Sequence, residues 1–383
     1  MFTAQINKMN EVLNGLNIKA ACTDYQEHRH FAFYDLKLDP GTMVSKIERR
    51  TREIGLAISS RTTPMVKLLQ SRGLVRIQVA ISDADLLPIY DLFDGVSIPS
   101  HEESLVPFIL GETDEGKKME LDLSRHPHTL IAGGTGSGKS VLLHTIIANA
   151  GILRMSGSRD IQVYLSDPKQ VEFNIYEGVK SLAPVIAYDY DQTISMLKFI
   201  ENKMNSRYEL LASEGYSSVE DCPDTFSTDI VIIDEVSDLM IQDKKSKRFE
   251  TLVVKLAQKC RAAGIYLVLA TQRPSVDVLT GLIKANFPAR ISCKVSSRVD
   301  SQVILDSTGA ECLLGRGDAI LQSPVNDKAR FQVAYTNAKK FISLYSRYDM
   351  TIPYNVFVEP TDVEDQSKKG SNSRHAYSCH LLN

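Results

Sequence analysis

An α/β fold is expected for most of this 383-residue chain, and three observations predict it. Short, nearly continuous apolar runs alternate with helical stretches from about residue 106 to 345: Thr129–Ala132, Ile161–Leu165, Ile230–Ile233 and Ile265–Ala270. Strands buried on both faces of a mostly parallel sheet have this pattern, with helices on the flanks. One run leads into Gly133–Ser140, which satisfies G-x-x-x-x-G-K-[ST] and opens a helical pattern. Another ends in two acids, Asp234 and Glu235, at the strand edge where open α/β sheets bind ligands.

Residues 1–105 read as a smaller α/β unit in front of this core. Ile6, Met9, Val12, Leu13 and Leu16 recur at helical spacing. Ala32, Tyr34, Leu36 and Leu38 alternate as a half-buried strand does. A turn at Asp39-Pro40-Gly41 follows. Val44, Ile47, Ile54 and Ile58 suggest a second helix, and Val75, Ile77, Val79 and Ile81 a second strand. The order is helix, strand, helix, strand, with no catalytic pattern in it. Turn signals from Asp94-Gly95 to Pro99-Ser100 close the unit. Residues 346–383 read as a C-terminal extension whose polar composition leads one to expect disorder from about 360. There is no internal repeat.

Composition sets outer bounds. With 43% hydrophobic and 24% charged residues, the chain is an ordinary globular protein, not a disordered one. No stretch approaches the roughly 20 apolar residues that a bilayer crossing needs. The start, MFTAQINKMNEVLN, lacks a signal-peptide layout. Six cysteines lie far apart and form no CxxC pair. They read as reduced thiols of a cytoplasmic protein. The net charge of −3 gives no global sign of nucleic-acid binding, although a basic patch can be local.

The phosphate-binding signal is Gly133, Gly134, Thr135, Gly136, Ser137, Gly138, Lys139 and Ser140, followed by Val141. Glycines let the backbone curl so that successive N–H groups face phosphate oxygens. The following helix adds positive potential at its N-terminus. Lys139 is expected to reach the β- and γ-phosphates of ATP, and Ser140 to ligate Mg²⁺. Asp234 would hold Mg²⁺ through water, and Glu235 would orient and deprotonate the attacking water. A second acid directly after the first favours hydrolysis over kinase chemistry. Gln272, after the run Ile265–Ala270, is the candidate γ-phosphate sensor; the alternative is a strand-end turn closed by Pro274.

The longer stretches around these motifs resemble the motor of the FtsK/SpoIIIE family of double-stranded DNA translocases. Cys260–Ile265, Leu267–Val278, Thr280–Asn286, Val295–Ser297, Ile304–Asp306, Leu313–Gly315 and Gly317-Asp318 carry the resemblance. So do Asp167-Pro168-Lys169 with Glu172, and Ile233-Asp234-Glu235 with Asp238-Leu239-Met240. It spans roughly residues 25–335, more weakly over 30–80. It implies a RecA-like ATPase core in a homohexameric ring that pumps duplex DNA through its pore. It also implies an ATP site completed by a neighbour's arginine. Arg290 matches that finger by position, with Arg261 as the rival and a structural salt bridge as the alternative for either.

Thr280, Lys284 and Arg298 are the candidates for DNA contacts, which should be to phosphates because a translocase tolerates any sequence. Gln302 stands where family members often carry arginine. Lys244–Arg248 reads as a solvated basic face. His375, Cys379 and His380 read as incidental, without a metal-site spacing. The chain shows neither the N-terminal membrane spans nor the C-terminal winged helix of septal family members. It therefore reads as a stripped motor, with an unidentified recruiting protein as a possible partner. The rival functions are a DNA-transfer or packaging ATPase of a phage or conjugative element, and a nucleotide-gated DNA-binding assembly factor with little turnover.

Overall fold

A computed structural model describes residues 2–60, 62–80, 86–93, 106–222, 225–324 and 328–349. The expected turn at 94–100 and the tail from 350, with His375, Cys379 and His380, lie outside the described residues. The first part runs α1 (Phe2–Gly15), β1 (Ala20–Glu27), β2 (Phe31–Leu38), α2 (Val44–Glu48), α3 (Thr51–Ala57), β3 (Met65–Leu69) and β4 (Leu74–Ala80). Its four strands form an antiparallel sheet in the order β1-β2-β4-β3.

The sequence reading placed two strands here, and the structure has four. β1 and β3 are the sheet edges. β1 buries only Cys22 and Tyr25, and β3 buries no residue fully. Edge strands with so little burial carry a weak apolar pattern, so periodicity misses them. The single helix expected over 44–58 is two helices that break at Arg49 and Arg50; Ile47 and Ile54 both stay in the core. β2 is not half-buried, because Phe31 to Leu36 are all buried. One face packs on α1 through Ala32, Tyr34 and Leu36. On the other, Phe31 and Phe33 meet Leu314 of the larger unit.

The larger unit runs α4 (Ile89–Phe93), β5 (Pro107–Thr113), β6 (Lys118–Asp122), β7 (His128–Ala132), α5 (Lys139–Met155), β8 (Ile161–Ser166), β9 (Val185–Ala187) and α6 (Tyr190–Glu214). It continues with β10 (Thr228–Ile233), α7 (Val236–Gln242), α8 (Arg248–Lys259), β11 (Ile265–Thr271), α9 (Gly281–Asn286), β12 (Ala289–Cys293), α10 (Arg298–Leu305), β13 (Asp318–Gln322), β14 (Ala329–Val333) and α11 (Ala338–Asp349). Ten strands make one sheet, ordered β6-β5-β14-β13-β12-β7-β11-β10-β8-β9. From β12 to β9 every pairing is parallel. From β12 to β6 every pairing is antiparallel.

Alternate residues of the central strands feed two cores. Ile230, Ile232, Val268 and Ala270 pack with α5 and α11 on one face. Val231, Ile233, Leu267 and Leu269 pack with α6, α7 and α8 on the other. Burial on both faces explains why these strands read as unbroken apolar runs.

Described residues on both sides of the two expected boundaries pack on the larger unit. Leu87, Ile89 and Leu92 belong to the core of the larger unit, and Ile89 N donates to Tyr335 O at 3.1 Å. The chain thus joins the large core well before residue 105. At the other end α11 runs through 345 to Asp349, with Phe341 and Tyr345 fully buried. Among the described residues no helix is long and apolar enough to cross a membrane.

Candidate nucleotide site

Four adjacent parallel strands, β7, β11, β10 and β8, end on one edge of the sheet. β7 runs into the glycine loop, β11 into Gln272, β10 into Asp234 and Glu235, and β8 into Asp167. The motifs lie far apart in sequence and meet because their strands are neighbours. The loop is braced from behind: Gly134 N donates to Lys294 O at 2.8 Å, and Gly133 N to Thr271 O at 3.2 Å. A second turn supports its middle. Gly317 N donates to Ser137 O at 2.8 Å and Arg316 N to Gly136 O at 3.2 Å.

That turn is itself stapled to the sheet. Arg330 of β14 donates from Nε and Nη2 to the two Asp318 oxygens at 2.8 and 2.6 Å, and both residues are buried. Leu314 N also donates to Asp318 Oδ2 at 2.7 Å. A paired, bidentate arrangement of this kind fixes geometry. Gly138, at φ +103, brings the loop against Gly317 and caps α5.

Lys139 opens α5, is 3% exposed, and pairs with Asp234. Ser140 Oγ donates to Glu172 Oε1 at 2.6 Å. Val141 packs, half-buried, against the core beneath. Thr135 Oγ1 lies 3.4 Å from Gln272 Oε1. Glu172 is set by Asp167, whose Oδ2 accepts from Glu172 N at 2.8 Å and Phe173 N at 2.9 Å. Burial pushes the Asp234 carboxyl above the ordinary aspartate range, with the Lys139 ammonium opposing it. His144, one turn along α5, is pushed down to about 4 by burial. Its Nδ1 hydrogen-bonds Tyr176 OH at 2.9 Å.

Glu235 takes a left-handed backbone, φ 56, between β10 and α7. For a non-glycine residue this costs about 1–2 kcal/mol. It turns the carboxylate toward β11, where it is fully buried. Oε1 accepts from Ser237 Oγ at 2.5 Å and Thr271 Oγ1 at 2.9 Å, and Gln272 N donates at 3.2 Å. Lys169 Nζ donates to Oε2 at 2.9 Å. Burial pushes this carboxyl up; the hydrogen bonds from Ser237, Lys169 and Thr271 outweigh it and hold it below the ordinary glutamate range.

The other expected residues sit elsewhere. Arg290, on β12, pairs with Asp306 and donates to Phe287 O at 3.4 Å and Lys284 O at 3.2 Å; its side chain is 14% exposed. Arg261 is more open and lies 4.0 Å from Glu220. Thr280 caps α9 and donates to Glu250 Oε1 at 2.6 Å. Lys284 pairs with the same Asp306 as Arg290. Arg298, at 79% side-chain exposure, lies 3.3 Å from Glu311. Gln302 Nε2 donates to Asp306 O at 2.9 Å. The run from Lys244 to Arg248 is exposed, from the loop after α7 to the first residue of α8.

Lys169, Glu172, Ser237 and Thr271 line the site, and sequence reasoning assigned them no role. Thr271 ends β11, Ser237 lies on α7 and Lys169 on the loop after β8; single residues on separate elements share no local pattern, and only their adjacency to Glu235 gives them a role. The spacing Gly315-x-Gly317-Asp318 was the available signal for the bracing turn.

A family model described as FtsK/SpoIIIE matches residues 99–231 and 228–276. DNA translocase FtsK of Haemophilus influenzae is 32% identical over 401 residues, covering 96% of this chain and 75% of that protein. The chain belongs to the FtsK/SpoIIIE family. DNA translocase FtsK of Bacillus cereus is 36% identical over 327 residues, but this chain spans only 41% of its length. Among solved structures, the pCW3 conjugation coupling protein TcpA with ATPγS has a TM-score of 0.59 at 24% identity. That match covers 89% of this chain and 99% of TcpA, and it shows a shared fold. As an FtsK/SpoIIIE member with this fold, the chain is a P-loop ATPase.

Proposed function

We propose that this FtsK/SpoIIIE chain is an ATP- and Mg²⁺-dependent motor that moves double-stranded DNA, working as a homohexameric ring. The observation that carries this is the meeting of Lys139, Ser140, Asp234, Glu235 and Gln272 on one strand edge, in a member of the DNA translocase family.

Backbone N–H groups of residues 133–140 would cradle the phosphates, and Lys139 would leave Asp234 for the β- and γ-oxygens. The Ser140 hydroxyl and Asp234 carboxylate are hard oxygen donors that suit Mg²⁺, which keeps waters and phosphate oxygens in its remaining positions. Bound there, Mg²⁺ would supply charge neutralisation at the transferring phosphoryl group. Glu235, held ionised and buried, would accept the proton of the attacking water. Gln272, tied through its N–H to Glu235, would register the γ-phosphate.

Arg290 is proposed as the finger that completes a neighbouring subunit's site, for which its guanidinium must exchange Asp306 for phosphate. Thr280, Lys284 and Arg298 are proposed as backbone contacts to DNA. Lys284 and Arg290 share Asp306, so a phosphate drawn to Lys284 alters what holds Arg290. Residues 1–105, 106–345 and 346–383 are proposed as accessory unit, motor and extension, with Leu87, Ile89 and Leu92 packing on the motor.

Steady-state ATP hydrolysis with and without long linear duplex DNA tests the reading, with single-stranded DNA as a comparison and Lys139→Ala as the dead control. Duplex stimulation that Lys139→Ala abolishes supports it. A rate indifferent to duplex overturns the motor reading. Glu235→Gln should keep nucleotide binding and lose hydrolysis; turnover at the parental rate would remove Glu235 as the base.

A further inference from the structure

An ionised carboxylate offers about four lone-pair sites to donors. Glu235 has four donors: Ser237 Oγ, Thr271 Oγ1, Gln272 N shared between its oxygens, and Lys169 Nζ. A water that is to give up its proton needs one of those sites. One donor must therefore leave before Glu235 can act.

Three donors are held in place. Ser237 and Thr271 are fully buried, and Gln272 donates from the backbone. Lys169 differs. It lies on the loop after β8, its side chain is 39% exposed, and its stem is flexible. A second acid waits beside it: Asp238 Oδ2 on α7 is 3.8 Å from the same Nζ and 34% exposed. An exchange of Glu235 for Asp238 would keep the ammonium beside a carboxylate.

We propose that Lys169 is a latch on Glu235, holding the carboxylate saturated with donors until the lysine moves to Asp238. This rests on the reading of Glu235 as the base. Lys169 acts through Glu235 and is a positioning residue, not a catalytic one. Release empties one Oε2 site for water and removes a positive charge that lowers the basicity of the carboxylate.

The test is the full chain carrying Lys169→Met, which keeps the stem and removes the charge. Lys169→Gln is the second variant if the first does not fold. Basal ATP turnover should rise about three- to tenfold, the scale of one partly exposed charge-assisted hydrogen bond. The KM for ATP and the affinity for N-methylanthraniloyl-ADP should stay at parental values. Asp238→Asn removes the landing site and should lower turnover. The double variant should behave as Lys169→Met does, because without the latch its landing site is irrelevant. A lysine that only stabilised the loop would lower turnover and leave the Asp238→Asn effect intact. Turnover of Lys169→Met at or below the parental rate overturns the latch, provided Glu235→Gln is inactive in the same assay. An active Glu235→Gln overturns the base reading beneath it.

Discussion

Gly138→Ala is the perturbation whose size the structure defines best. Gly138 sits at φ +103, and an added Cβ would lie 2.3 Å from Gly317 N and 2.5 Å from Gly317 Cα. The backbone conformation alone costs an L-residue about 1–2 kcal/mol. The contact is with main chain, so no side-chain rotation relieves it. The bracing turn cannot retreat freely either, because Asp318 is held by Arg330. The loop must shift, and the bonds from Gly317 N to Ser137 O and from Arg316 N to Gly136 O are lost, at about 0.5–1.5 kcal/mol each. The sum is about 2–5 kcal/mol, equivalent to about 30- to 4,000-fold in nucleotide affinity. Gly136→Ala is the control. Gly136 is at φ +72 but a Cβ there meets nothing within 4 Å, so only the backbone cost applies. That predicts about 5- to 30-fold. Titration with N-methylanthraniloyl-ADP, beside thermal unfolding of each variant, measures both. Equal losses for the two alanines, or Gly138→Ala binding within about threefold of the parent, would refute the bracing argument.

Two further outcomes concern stability. His128 and His144 are both held down to about 4 by burial, against an ordinary value near 6.5. Between those values the unfolded chain binds protons that the folded chain does not. Stability is therefore complete above pH 6.5 and falls as pH drops toward 4, by about 3 kcal/mol for each histidine. Urea unfolding at pH 7.5 and 4.5 should show that fall, and His144→Gln should flatten it; an unchanged slope rules out His144 as a cause. Asn149, fully buried on α5, bonds Ile109 N at 2.8 Å, Ile109 O at 2.9 Å and Thr145 O at 2.8 Å. It serves β5 before its pairing with β14 begins at Gly111. Asn149→Ala leaves the Ile109 groups buried and unpaired and should cost about 2–4 kcal/mol in urea unfolding; a loss below about 1 kcal/mol would contradict the role given to it.

What the amino-acid sequence determined by itself was whatever is carried by short-range pattern. The central strands are buried on both faces, so β7, β8, β10 and β11 appear as apolar runs with nothing else to confuse them. The glycine loop needs its residues at fixed spacing for backbone geometry, and the acids after β10 need only their strand. Edge strands β1 and β3 escaped because little of them is buried. The packing of 87–92 and of 341–345 on the large core escaped because those contacts span long separations. Tertiary structure alone decided which strands are neighbours, and hence that Thr271, Ser237 and Lys169 converge on Glu235. It alone committed Arg290 and Lys284 to one aspartate. The physical reason is common to all of these: a hydrogen bond or ion pair depends on a few ångströms of separation in space, which residue spacing along a chain does not encode until the sheet order is known.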